Sequence, residues 1–160
     1  MRIVLVFIIL LETVQSLPNT SGTTGWRGIV PLHSTRSEVE KLLGPSTDTR
    51  PGSALYRTKD AVVMVFYSDG DPCGTKDSQW RVPPNTVIAI YVTLSPGRPL
   101  SQFNLDETKY KKKSGGHRPE DIYYTNDERG EVLRVFNGEV LDLHYSPASS
   151  DKHLRCAPKQ

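Results

Sequence analysis

The stretch EVLRVFNGEVLDLHY, from Glu131 to Tyr145, decides the fold class. Two runs rich in valine, leucine and aromatic residues flank Asn137-Gly138, a dipeptide that tolerates positive φ and reverses a chain tightly. This predicts one strand over Glu131–Phe136 and another over Glu139–Tyr145. A two-residue Asn137-Gly138 loop would set Asp142 beside Leu133 and Val135. A three-residue loop, Phe136-Asn137-Gly138, gathers Leu133, Val135, Leu141, Leu143 and Tyr145 on one face. Val132, Arg134, Val140, Asp142 and His144 then take the other. Burial of apolar surface favours the second register, a type I turn with a bulge at Gly138.

Upstream, the same β-forming chemistry recurs at Leu55–Thr58, Ala61–Ser68 and Thr86–Leu94. In the last run Ile88, Ile90, Val92 and Leu94 alternate onto one face, expected to be the core face. Val87, Ala89, Tyr91 and Thr93 share the other. Between these strands Asp69–Asn85 is a longer connection than a hairpin needs, which marks it as functional or pinned. Before them, Thr35-Arg36-Ser37-Glu38 reads as a capping box that starts a helix. Val39, Leu42 and Leu43 form its apolar stripe, and Gly44-Pro45 ends it. A helix of about two turns is marginal alone and must lie on a sheet. The expected fold class is α+β, with short helices packed on an antiparallel sheet.

The second half follows the plan of the first. Pro99-Leu100 precedes a helical segment Ser101–Tyr110 as Pro31-Leu32 precedes the capped helix. Leu55-Tyr56-Arg57-Thr58-Lys59-Asp60 matches Ile122-Tyr123-Tyr124-Thr125-Asn126-Asp127. A tandem pseudo-repeat is therefore expected within one domain over 26–160, with half-repeats 26–98 and 99–147 and a C-terminal tail.

Composition bounds the function. The chain has 160 residues, 36% hydrophobic and 24% charged, which suits one globular domain rather than disorder. Its net charge of +2 gives no electrostatic case for a nucleic-acid partner. Met1-Arg2, the apolar run Ile3–Leu11 and Val14-Gln15-Ser16 read as a signal peptide over 1–16. The run is too short to span a membrane, so no membrane anchor is expected after its removal. A flexible Ser/Thr/Gly linker over 17–25 follows, with structure starting near Trp26. Two cysteines in an exported chain suggest one disulfide, Cys73–Cys156. The expected location is periplasmic or secreted.

The phrase Gly28-Ile29-Val30-Pro31-Leu32, then Ser37-Glu38-Val39-Glu40-Lys41-Leu42-Leu43-Gly44-Pro45, then a Tyr-bearing and a Val-rich strand, resembles the SmpA/OmlA-type outer-membrane assembly lipoproteins. The beta-lactamase-inhibitor-protein type is similar, carrying such a helix-plus-sheet unit in tandem. The match covers 28–68 and extends loosely to 94. The resemblance implies a cell-envelope module. The lipid-bearing Cys of the lipoproteins is absent here, which separates this chain from their anchoring.

No nucleophile elbow, P-loop, zinc-protease or paired-cysteine motif occurs. His33, His117, His144 and His153 lack metal-ligand spacing, so no metal and no cofactor is expected. Asp69-Gly70-Asp71 with Asp77 reads as a turn before a calcium site. Lys109–Lys113 with Arg118 is the one basic cluster, expected on a solvated strand or loop. The chain is thus expected to be no enzyme but an exported binding or cell-envelope module for an unidentified protein partner. The candidate surface is the sheet face with Tyr91, Arg134, Asp142 and His144, rimmed by Trp80 if the long loop folds that way. Substituting Tyr91 or Arg134 is expected to weaken binding and spare stability. The alternative is a small periplasmic hydrolase with a His-based site, in which Asp142 orients His144 or His117 serves.

Overall fold

The computed structural model describes residues 24–70, 73, 79–116 and 118–157. In chain order they form α1 (Arg36–Leu43), β1 (Asp48–Arg50), β2 (Ser53–Arg57), β3 (Ala61–Tyr67), β4 (Val87–Pro99), β5 (Lys111–Ser114), β6 (Ile122–Asn126), β7 (Glu131–Phe136) and β8 (Glu139–Tyr145). The strands make one antiparallel open sheet in the order β1-β2-β3-β4-β8-β7-β6-β5. Four strands of the first half and four of the second thus meet where β4 pairs with β8. The molecule is mostly β, with less helix than the expected α+β class. The expected signal segment 1–16 lies outside the described residues.

The capping box forms as the sequence predicts. Thr35 N donates to Glu38 Oε2 at 2.7 Å, and Glu38 N donates to Thr35 Oγ1 at 3.4 Å. Gly44 ends α1 at φ 82°, where a side chain would be strained. The apolar stripe needs a correction. Val39 is buried and Leu43 packs on the core, but Leu42 is exposed. So short a helix meets the sheet along one ridge, and the i, i+4 pair occupies it.

The second expected helix, Ser101–Tyr110, is instead two 3-10 turns, Leu100–Phe103 and Glu107–Lys109. Asn104 turns left-handed at φ 47° and ends the first. The Asp106 carboxylate accepts from Thr108 N at 3.3 Å and starts the second. Leu100, Phe103, Leu105 and Tyr110 still pack against the core. With Trp26, Ile29 and Val39 they cover one sheet face, whose buried layer includes Tyr56, Val63, Val65, Ile90, Val92, Leu133, Val140 and Leu143.

Two bulges shift the expected alternation. Phe66 pairs with Ala89 but Tyr67 pairs with Val87, leaving Ile88 as the extra residue. Val87 is consequently buried, and Ile88 is only half-buried. In the β7–β8 hairpin Phe136 pairs with Glu139, so the loop is the two-residue Asn137-Gly138 turn. The pairing then steps from Val135–Val140 to Arg134–Asp142, and Leu141 is the bulged residue. Val140 therefore enters the core in place of Leu141, while Arg134, Asp142 and His144 keep the outer face expected of them. A bulge inside β8 corrects the phase that the shorter loop would otherwise have reversed.

Cys73 and Cys156 form the expected disulfide, with Cα atoms 5.5 Å apart. Beside it, Cys156 N donates to Gln79 O at 2.8 Å and Arg81 N to Leu154 O at 2.8 Å. The described part of the long loop is thereby pinned to the C-terminal tail. Thr24, inside the predicted linker, is buried and accepts from Arg129 Nε at 2.8 Å.

Candidate functional site

The sheet face opposite the core is uncovered among the described residues. Pairing registers define what it displays, because residues directly opposite across strands share a face. One row runs Leu55, Met64, Tyr91, His144, Val132 and Thr125 from β2 to β6. The next runs Arg57, Val62, Thr93, Asp142, Arg134, Tyr123 and Lys113 from β2 to β5. Met64 and Tyr91, 40% and 48% exposed, are cross-strand neighbours here and two of the three most exposed large hydrophobic residues described.

Four predicted site residues come together. Tyr91, Arg134, Asp142 and His144, with Tyr123 and Val132, line a shallow groove of about 330 Å³. The His144 ring stacks on Tyr91 with centroids 4.1 Å apart and planes 17° apart. Phe66 meets the Tyr91 ring edge-on at 5.5 Å. These contacts hold an aromatic ridge along the row. Burial pushes the His144 imidazole below its ordinary pKa of 6.5, so it is neutral at pH 7.

The second row is electrostatic. Thr93 Oγ1 donates to Asp142 Oδ1 at 2.7 Å, and Arg134 Nε donates to Asp142 Oδ2 at 2.5 Å. Arg134 Nη1 also lies 3.4 Å from Oδ1 of Asp121, a fully buried carboxylate. Burial opposes the Arg134 charge, but its hydrogen bonds and ion pairs with Asp142 and Asp121 hold the guanidinium above its ordinary value. Arg134 is therefore a structural counter-ion as well as a surface group. This corrects the expectation that its substitution spares stability.

The His144–Asp142 pairing that the hydrolase alternative calls for does not form. The hydrogen bonds of the Asp142 carboxylate go to Thr93 and Arg134, while His144 packs on Tyr91. Among the described residues, no carboxylate orients the imidazole or fixes its tautomer for proton transfer. His117, Asp71 and Asp77 lie outside the described residues. Among the described residues no three His, Cys, Asp or Glu side chains gather as metal ligands. Nor is any helix there long and apolar enough to cross a membrane.

Trp80 falls elsewhere. It forms a bridge with Arg155 and lines a second cleft with Pro51, Gly52, Tyr67 and Ile88, near the disulfide. Of the basic cluster, Lys111, Lys112 and Lys113 lie on the edge strand β5, where Lys111 pairs with Asp127 at 2.5 Å and Lys112 sits over the Tyr124 ring at 5.3 Å. Sequence reasoning missed Asp121, Met64 and Phe66, and set Thr93 on the Tyr91 face without a role. Alternation in β3 places Met64 and Phe66 opposite Val63 and Val65, which was a usable signal. Asp121 gave none, since an Asp after Pro-Glu reads as a loop residue.

Comparison with family models, with curated proteins and with solved structures gives no match.

Proposed function

We propose that this chain is an exported, non-enzymatic binding or cell-envelope module that holds a protein partner on its open sheet face. The observation that carries the reading is the exposed Met64–Tyr91 pair, continuous with the groove at His144, Val132 and Arg134. Aromatic and arginine side chains set on a rigid sheet suit a protein contact, because little order must be gained on binding. Several further features support it. The disulfide suits an oxidising compartment, and residues 1–16 have the composition of a signal peptide. α1 followed by the β2–β4 meander follows the SmpA/OmlA-type phrase, and Leu55–Asp60 and Ile122–Asp127 run through β2 and β6. A duplicated unit would explain that correspondence, with α1 replaced by 3-10 turns in the second half.

The test uses disulfide-intact chain immobilised and exposed to a cell-envelope extract, beside Tyr91→Ala and Met64→Asp variants of matched stability. A protein retained by the parent and lost from both variants is the expected result. Retention unchanged in both variants would remove the open face from consideration.

A further inference from the structure

Resting on that reading, we propose that the open face receives a polypeptide segment of a partner that is apolar along its middle and carries carboxylates at both ends. The row Arg57, Val62, Thr93, Asp142, Arg134, Tyr123, Lys113 crosses that face from β2 to β5. Its central charges are satisfied within the molecule, since Arg134 lies between Asp142 and buried Asp121. Its terminal cations are not. Arg57 and Lys113 are exposed, and neither makes a hydrogen bond or ion pair among the described residues. From β2 to β5 there are six inter-strand steps, about 29 Å at ~4.8 Å each.

Between those cations the neighbouring row presents Leu55, Met64, Tyr91 and Val132. The face is thus an apolar and aromatic band with an unpaired cation near each end; beyond Leu55 its row ends at Asp48, whose carboxylate is held by Arg50 at 3.2 Å. A segment of about 20 residues as a helix, at ~1.5 Å per residue, spans the same length. Glutamates in its first and last turns would meet Arg57 and Lys113.

Charge disfavours the simplest competitor, a second copy of the chain. Two copies packed by the same face with their rows aligned oppose either Arg57 to Lys113 or each residue to itself, cation against cation, so charge disfavours the arrangement that would bury the whole band. A lipid surface suits the face less. Its centre carries the Asp142 carboxylate and the Thr93 hydroxyl, and its large hydrophobic residues project only in part.

The experiment uses the full disulfide-bonded chain and two synthetic 20-residue amphipathic peptides with one leucine stripe. One peptide has glutamates in both end turns, and the other has lysines there. Titration followed by fluorescence anisotropy should show the glutamate peptide binding about tenfold tighter, a preference that shrinks as salt rises. The Arg57→Glu/Lys113→Glu variant should abolish or reverse the preference while melting like the parent, since both side chains are exposed and unpaired. Equal binding of the two peptides, lost in Tyr91→Ala, would overturn the charge pattern and leave the sheet face as the docking surface. Binding of both peptides untouched by Tyr91→Ala would overturn the sheet-face reading itself. Binding of neither, with capture of the chain by phosphatidylglycerol vesicles or without it, would overturn the proposal.

Discussion

Arg134→Met should cost far more stability than a surface substitution does. Asp121 is fully buried, and Arg134 Nη1 stands 3.4 and 3.5 Å from its two oxygens. Taking the guanidinium away leaves a carboxylate in the interior with no counter-charge. Breaking such a pair from one side costs about 3–5 kcal/mol. The contacts here are long, and the Arg134 side chain keeps 27% of its surface exposed, so water can enter in its place. The lower end, about 3 kcal/mol, is expected. Asp142 loses the same partner but is 32% exposed and retains Thr93, so its share is small. For a chain of this size the melting temperature should fall by roughly 6–12 °C. Urea unfolding at pH 7, read by circular dichroism, gives the free energy directly. The companion variant Arg134→Met/Asp121→Asn removes the stranded charge and should recover more than half of the loss. A melting temperature within about 2 °C of the parent for the single variant, or a double variant no better than the single, would refute the account. Tyr91→Ala is consequently the cleaner probe of binding, and Arg134 variants need matched stability before any lost affinity is assigned to the face.

Tyr56 and Tyr67 donate and accept between their buried hydroxyls at 2.8 Å, so each single Tyr→Phe change should cost about 1–2 kcal/mol and the double change less than their sum. Additive costs in urea unfolding would show that the hydroxyls do not depend on one another. Cys73→Ser/Cys156→Ser opens a linkage spanning 83 positions and should lower stability by about 4.5 kcal/mol in the chain-entropy model. An unchanged urea midpoint on reduction would count against it. His144 has a folded pKa below 6.5, so the unfolded chain binds more protons on acidification. Its contribution is fully present above about pH 6.5 and is lost as pH falls towards the folded value, and His144→Gln should flatten that slope. Parallel pH profiles for parent and variant between pH 7.5 and 5 would rule the group out.

Local chemistry made much of this structure legible. Thr35 and Glu38 fix the start of α1 through hydrogen bonds three residues apart, which sequence spacing records directly. The limits of β7 and β8 follow from Asn137-Gly138 and the β-rich runs beside it. What alternation alone misplaced were Ile88 and Leu141, each the extra residue of a bulge. A bulge is chosen by the partner strand, through which pairing buries more apolar surface, and a single strand carries no mark of it. The site divides the same way. Tyr91, Arg134, Asp142 and His144 share a face by their spacing, and the bulge at Leu141 lies just outside that group. The role of Asp121 depends on a contact with Arg134 across the sheet, which no local pattern encodes. The place of Trp80 depends on its bridge to Arg155 and on the nearby disulfide, pairings between distant parts of the chain that no local spacing records.

The pairing of β4 with β8 also governs how the chain is made. β4 is finished by Pro99, yet its second neighbour is not complete until Tyr145. During synthesis, the first meander must wait with a bare row of amide and carbonyl groups along β4, bordered by Ile90, Val92 and Leu94. That row is a template for any extended strand nearby, including the same row on another nascent chain. The late strand β8 acts as a plug, closing the hazard from the middle of the sheet. Shortened products ending before it should be the ones that clump, whatever the soundness of the half already built.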